Sequence, residues 1–325
     1  MRVPQNLPKA ALKSTIFAAA AMLFPVSASA VIVGGTQGTG FNNAGASTLS
    51  AFLSTAVLPE FPYWDNLVRV HDASGIYLGY NPGTGQGWVL SVNHVAAPAT
   101  ITVDGVNYLV RSSQQVESYD LKLHAIGGSL GDPALPDLLS PAIMATPNSV
   151  GANLIMAGRG HRAGAGTLSE DTSAPYTWGT PGVNPSIPFR WGSNFVLDTG
   201  LLDSSGNAYF STDFDAPSSP PEALGSPFDG QAAVGDSGGS GFVLRDGLWQ
   251  LAGMMYEVDD GPDADAFVSP AGYGDTTWFV DLATYRTDIL NITGSLIPEP
   301  SSVFFICMAV PILFIRSRRR VGLWG

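Results

Sequence analysis

The 325-residue chain carries 15 Lys and Arg residues against 27 Asp and Glu, a formal net charge of −12. Seven of the bases but only one acid lie in residues 1–30 and 297–325, so the body between them holds 26 acids against eight bases, a balance of −18. Such a body has no basic surface with which to neutralise phosphates, which argues against nucleic-acid binding, and its single-sign charge favours solubility outside the cell.

Residues 1–30 combine a basic start (Arg2, Lys9, Lys13), an apolar run from Ile16 to Phe24, a breaker at Pro25 and the small residues Ala28-Ser29-Ala30. That order reads as a secretory signal peptide, cut after Ala30 by a signal peptidase. The body that follows contains no cysteine, because Cys307 lies beyond it. No disulfide can form there, and about 265 residues have to be stabilised by burial.

Short runs of Val, Leu, Phe and Tyr separated by Gly and Pro predict a mostly β body. The candidate strands are 87–92, 106–111, 120–126, 153–157, 194–197, 208–212, 241–245, 249–255 and 278–280. A single amphipathic helix is expected over 281–290. The segment 127–147, with four prolines, reads as a connector between two halves, and 163–188 and 213–230 read as long surface loops.

At the C-terminus, Ile297-Pro298-Glu299-Pro300 precedes an apolar run from Val303 to Ile315 and then Arg316, Arg318, Arg319 and Arg320. This tail resembles the PEP-CTERM sorting signal of Gram-negative bacteria, which implies cleavage near the motif by an exosortase-type enzyme. The arginines would stay cytoplasmic. The run is shorter than the ~20 residues a spanning helix needs, and Pro311 interrupts it, which favours a transient inner-membrane anchor. The expected destination is the cell surface or the medium after processing.

The chemistry centres on Gly235-Asp236-Ser237-Gly238-Gly239. A serine hydroxyl is a weak nucleophile at neutral pH, and it needs a base, an orienter for that base, and donors for an oxyanion. His94 ends the apolar run Gly87–Val92 and offers an imidazole, while Asp120 opens an alternating segment and offers a carboxylate. The other histidines are His71, His124 and His161.

Taken together, the segments around His94, Asp120 and Ser237 resemble the chymotrypsin-like serine proteases, and the order His, Asp, Ser is that of this family. Trp249–Tyr256 resembles the family's cleft-lining strand, and Phe279–Arg286 its last strand running into a C-terminal helix. The resemblance implies an all-β fold of two packed six-stranded antiparallel β-barrels, about 31–135 and 149–292, with a short C-terminal helix. It implies a catalytic triad of His94, Asp120 and Ser237, and an oxyanion hole from the backbone N–H groups of Gly235 and Ser237.

Asp236 would be structural, paired with a freed N-terminus. Ile32-Val33-Gly34-Gly35 resembles the mature start of these enzymes, although cleavage after Ala30 leaves Val31 first. The family's specificity pocket maps onto Gln231, Tyr256, Glu257 and Val258. With Gln231 where trypsin-like enzymes keep an aspartate, preference for Arg or Lys by that route is not expected. Glu257 and the run Asp259, Asp260, Asp263 and Asp265 would attract basic substrates from the rim. That run could hold calcium, but its spacing matches no defined loop and a solvated acidic loop is the commoner case.

No metal and no cofactor is implied. The implied function is an exported serine endopeptidase acting on polypeptides. A non-catalytic binding or matrix protein on the same fold and a serine esterase are the alternatives.

Overall fold

The computed structural model describes residues 31–33, 45–160, 188–204, 206–215, 228–233, 235–258, 274–294 and 296. The signal-peptide and sorting-tail segments, His161 and the acidic run 259–265 lie outside these. Among the described residues no helix is long and apolar enough to cross a membrane.

The fold is all-β with two large antiparallel sheets, as expected. The first is formed by β2 (Leu67–Val70), β3 (Ala73–Asn81), β4 (Gln86–Ser91), β5 (Thr100–Val103), β6 (Val106–Gln115) and β7 (Lys122–Ile126), in the order β2-β3-β4-β7-β6-β5. Its two edge strands, β2 and β5, approach each other and nearly close it into a barrel. The second is formed by β8 (Asn153–Gly158), β9 (Arg190–Phe195), β10 (Asp198–Leu202), β11 (Ala208–Asp213), β13 (Ser240–Arg245), β14 (Leu248–Val258) and β15 (Thr276–Asp281). Their order is β10-β11-β15-β14-β13-β8-β9. This sheet has seven strands where six were expected, because the alternating segment Asp198–Leu202 pairs along the edge of β11. A small separate ladder joins β1 (Ile32–Val33) to β12 (Gly230–Gln231).

Burial explains the strand positions. In β8, Leu154 to Gly158 are all buried, as befits a strand flanked on both sides by β9 and β13. The exposed-buried alternation of β5 turns Ile101 and Val103 inward. β3 was not expected, since its glycines read as punctuation. In the fold they mark close approach: a Cβ on Gly75 would lie 2.6 Å from Val70 Cγ2 and 2.9 Å from the Leu90 carbonyl, so β3 needs glycine to sit between β2 and β4.

A second unexpected element is α1 (Ala46–Thr55), which begins at Gly45 with no side-chain cap and no acidic first turn. Packing holds it. Leu49, Phe52 and Leu53 are buried, the Phe52 ring lies 5.1 Å from Trp191 and 4.7 Å from Phe228, and Trp191 Nε1 donates to Thr48 Oγ1 at 2.9 Å.

The expected C-terminal helix is α2 (Leu282–Thr293), where Asp281 ends β15 and its side chain caps the helix by accepting from Ala283 N. Asn81 Nδ2 donates to the Thr293 carbonyl at 2.9 Å and ties the end of α2 back to β3. The segment 127–147 does connect the sheets, and Ala142 and Met144 exchange backbone hydrogen bonds with Leu251 of β14. Asn66 donates to the Tyr77 and Leu139 carbonyls from a buried position, pinning this connector onto β3.

Candidate active site

His94 stands just past β4, in a turn that begins where the buried run Trp88–Val92 reaches the surface. Asp120 comes from the loop before β7, the neighbour of β4 in the sheet, so strand pairing brings the two together. The carboxylate holds the histidine twice. His94 N–H donates to Asp120 Oδ1 at 2.8 Å, and His94 Nδ1 lies 2.6 Å from Oδ2. An ionised carboxylate only accepts, so Nδ1 carries the proton and Nε2 is left with a lone pair for a donor. The Asp120 side chain is 15% exposed and that of His94 43%, so the imidazole is presented outward from a sheltered acid.

Ser237 lies in the turn between β12 and β13. Gly235 and Gly238 have φ of 92° and 76°, values that L side chains rarely adopt. The turn is pinned by Asp236 N to Ala233 O (2.8 Å), Gly239 N to Asp236 O (2.6 Å) and Gly238 N to Met255 O (2.8 Å). It is docked on the first sheet by Ser74 N, which donates to the Ser237 carbonyl at 2.9 Å. Asp236, Gly238 and Gly239 thus spend their N–H groups internally. Among the described residues no hydrogen bond takes up the N–H of Gly235 or Ser237.

Asp236 is fully buried beneath this turn. Its carboxylate accepts from Gly160 N at 2.6 Å and Ala233 N at 2.8 Å. Burial raises its pKa to about 7, against the opposing pull of those two N–H groups and of the buried Arg159 and Arg190. Gly158 and Gly160 make room for it, since a Cβ at either position would collide with the carboxylate. Val31 is also fully buried, with a side-chain carbon near Gly192 and Gly230, and β1 runs beside β12, the strand that precedes the Ser237 turn.

A pocket of about 190 Å³ opens beside Ser237, walled by Ala232, Ala233, Met255, Tyr256, Glu257 and Val258. Tyr256, Glu257 and Val258 line this pocket. Gln231 does not line this pocket. It is fully buried, pairs with Ile32 of β1, and its side-chain amide has no hydrogen-bond partner. The strand pairing that seats β1 against β12 encloses it behind the wall.

Tyr256 sits at a bulge in β14, where Met255 opposes Phe279 and Glu257 already opposes Trp278. The extra residue turns its ring toward His94, with centroids 5.9 Å apart in an edge-on contact. Such a bulge re-aims a side chain out of strand alternation. Behind it, the Tyr209 ring lies 5.0 Å away and its hydroxyl donates to Asp203 at 3.1 Å.

The structure thus brings His94 and Asp120 into direct contact and sets Tyr256 against both the histidine and the Ser237 pocket. Among the described residues no hydrogen bond joins the His94 ring to Ser237. Free enzymes often hold this link loosely until substrate binds. Lys122, which the sequence reading passed over, donates to the carbonyls on both sides of His94 at 2.6 and 2.8 Å. Its spacing of two from Asp120 was the available signal. The remaining described histidines serve elsewhere. His71 lies near Asp72, and the buried His124 bonds Ser113 through Nδ1 at 2.8 Å, with burial lowering its pKa to about 4.

No family model and no curated protein matches the chain. Among solved structures, one of neuropsin, a serine protease expressed in the limbic system of mouse brain, is similar over 71% of this chain and 96% of that chain, at 15% identity and a TM-score of 0.46.

Proposed function

We propose that the chain is an exported serine endopeptidase that works through an acyl-enzyme on Ser237. The observation that carries this reading is the double grip of Asp120 on His94, which holds the Nδ1–H tautomer and directs Nε2 outward. Ser237 Oγ attacks the carbonyl carbon of a peptide bond as Nε2 takes its proton. The tetrahedral oxyanion is received by the N–H groups of Gly235 and Ser237, and His94 returns the proton to the leaving amine. Water then repeats the sequence on the acyl-enzyme and releases the acid. Asp120 stabilises the imidazolium formed at each stage without itself being protonated. The pocket beside Ser237, with two alanines, Met255 and Val258 in its wall, suits an apolar or small side chain next to the cleaved bond.

Export rests on the motifs at the two ends. The signal segment delivers the chain across the inner membrane, and the sorting tail holds it there until an exosortase-type cleavage near Pro298–Pro300. A mature terminus at Val31 suits the buried seat of that residue, and an ammonium at Val31 or Ile32 would pair with Asp236.

One experiment addresses these points. The exported protein is labelled with a fluorophosphonate, and the wild type is compared with Ser237→Ala by intact-mass and peptide mass spectrometry. Labelling confined to Ser237 and a first residue of Val31 or Ile32 are expected. Absence of Ser237-dependent labelling refutes the enzyme and leaves a binding or matrix module on this fold; a longer N-terminus on fully labelled protein refutes the pairing with Asp236. Parallel turnover of a matched peptide and ester separates a peptidase from an esterase.

A further inference from the structure

Residues 93–95 are held from both polarities of their backbone. Asp120 accepts the N–H of His94, while the Lys122 ammonium donates to the Asn93 carbonyl at 2.6 Å and the Val95 carbonyl at 2.8 Å. Asp120 in the loop and Lys122 at the first position of β7 reach the same turn from positions two apart in the chain. β7, which begins at Lys122, pairs with β4 along its whole length, with Ser91 opposite Lys122. The anchor therefore belongs to the sheet, and the turn leans on it.

We propose that Lys122 is a positioning residue for the general base: its ammonium fixes the peptide plane entering His94, through the Asn93 carbonyl, and the one leaving Val95, through the Val95 carbonyl, so the turn is held at both ends and the imidazole meets Ser237 in one orientation. This rests on the serine-hydrolase reading of the site. The Asn93–His94 plane is held from both edges, by Lys122 at its carbonyl and Asp120 at its N–H, and the Val95 carbonyl fixes the far end of the turn; together they set the direction of the His94 Cα–Cβ bond, and Asp120 sets the ring about it. A rotation of the Asn93–His94 plane, or a slip of the turn at Val95, would swing Nε2 away from the serine even with the ring contact to Asp120 retained. The ammonium has three N–H donors and no acceptor. Two of them are spent on this turn, and the aliphatic stem reaches it from a half-buried position.

Packing alone would be served equally well by methionine, which fills the same stem volume without a donor. That difference defines the test. Lys122→Met, Lys122→Gln and Lys122→Arg are made in the full chain, on the wild-type and the Ser237→Ala backgrounds. Near-ultraviolet circular dichroism checks that each is folded. On the active background, Lys122→Met is expected to slow fluorophosphonate labelling at least tenfold. It is expected to lower kcat on a small ester by a similar factor, with KM within twofold. Lys122→Arg, whose fork can bridge two carbonyls, is expected to recover most of the rate, and Lys122→Gln, with one amide donor group, to fall between.

On the Ser237→Ala background the readout is the low-field proton resonance of His94 Nδ1–H, which needs no catalysis. Lys122→Met should broaden or shift it and Lys122→Arg should keep it. A folded Lys122→Met protein with wild-type labelling rate and an unchanged resonance overturns the proposal. If the Met variant does not fold, the Gln variant with unchanged rate and resonance does the same. Should the wild type itself show no Ser237-dependent labelling, the enzymatic reading fails, and the resonance still decides whether Lys122 sets the orientation of His94.

Discussion

Asp236 carries the loop that presents Ser237, and its carboxylate is enclosed with two backbone N–H groups at 2.6 and 2.8 Å. Replacing it with alanine removes both acceptors at once. Each buried N–H left unpaired costs about 1–3 kcal/mol. The native carboxylate also carries a cost of its own, because burial raises its pKa from 3.8 to about 7. A group whose folded pKa lies above its unfolded value contributes stability fully below the unfolded pKa and loses it as pH rises through the folded one. Here the window runs from about pH 4 to pH 7.

For these two pKa values the contribution of Asp236 falls by roughly 3 kcal/mol between about pH 5 and about pH 8. The Asp236→Ala protein has no such titration. The destabilisation caused by this substitution should therefore be roughly 3 kcal/mol larger at about pH 5 than at about pH 8. The assay is urea unfolding at both pH values on protein that keeps residues before Val31, so that no freed ammonium pairs with Asp236, comparing Ser237→Ala with Ser237→Ala/Asp236→Ala so that neither sample can digest itself. Equal destabilisation at the two pH values, or a larger one at the higher pH, refutes the reasoning and means that the carboxylate is ionised throughout, matched by the charge of Arg159 and Arg190.

Asp120→Asn should lower kcat by about 10⁴ with the unfolding midpoint nearly unchanged, because an amide at this position favours the wrong tautomer of His94; if Glu117→Gln has this effect and Asp120→Asn does not, the acid has been misassigned. Gly238→Ala should slow labelling of Ser237 and destabilise the protein by roughly 1–3 kcal/mol. Its φ of 76° is unsuited to a side chain, and its Cβ would press on the Ser74 carbonyl and Ser91 Oγ. Labelling and urea unfolding of Gly238→Ala at wild-type values would show that the turn is not seated on the first sheet as described.

How much was legible from the chain depended on whether the signal was local. Ser237 between glycines, His94 after an apolar run and Asp120 before an alternating one are patterns within a few residues, and they led to the pair that meets at 2.6 Å. β8, β11, β13 and β15 were found near their true bounds, since runs such as Leu154–Ala157 bury every residue. β3 and α1 were missed for opposite reasons. Gly75 and Gly79 resemble turn residues, yet Gly75 serves a close approach of neighbouring strands. In α1, no capping residue advertises the start, and what holds the helix is Trp191, about 140 residues away.

The amino-acid sequence by itself determined the candidate residues for the proposed chemistry, the all-β body, the lack of disulfides in that body and its acidic balance, because these follow from residue types and short spacings. Only the tertiary structure decided which groups surround the reacting ones. It placed Lys122 on the turn of His94, turned Tyr256 toward the imidazole through a bulge, enclosed Gln231 behind the pocket wall and buried Asp236 among glycines. Each of those depends on strand register and on contacts between distant segments, and a shift of one residue in pairing would send the same side chains to the opposite face.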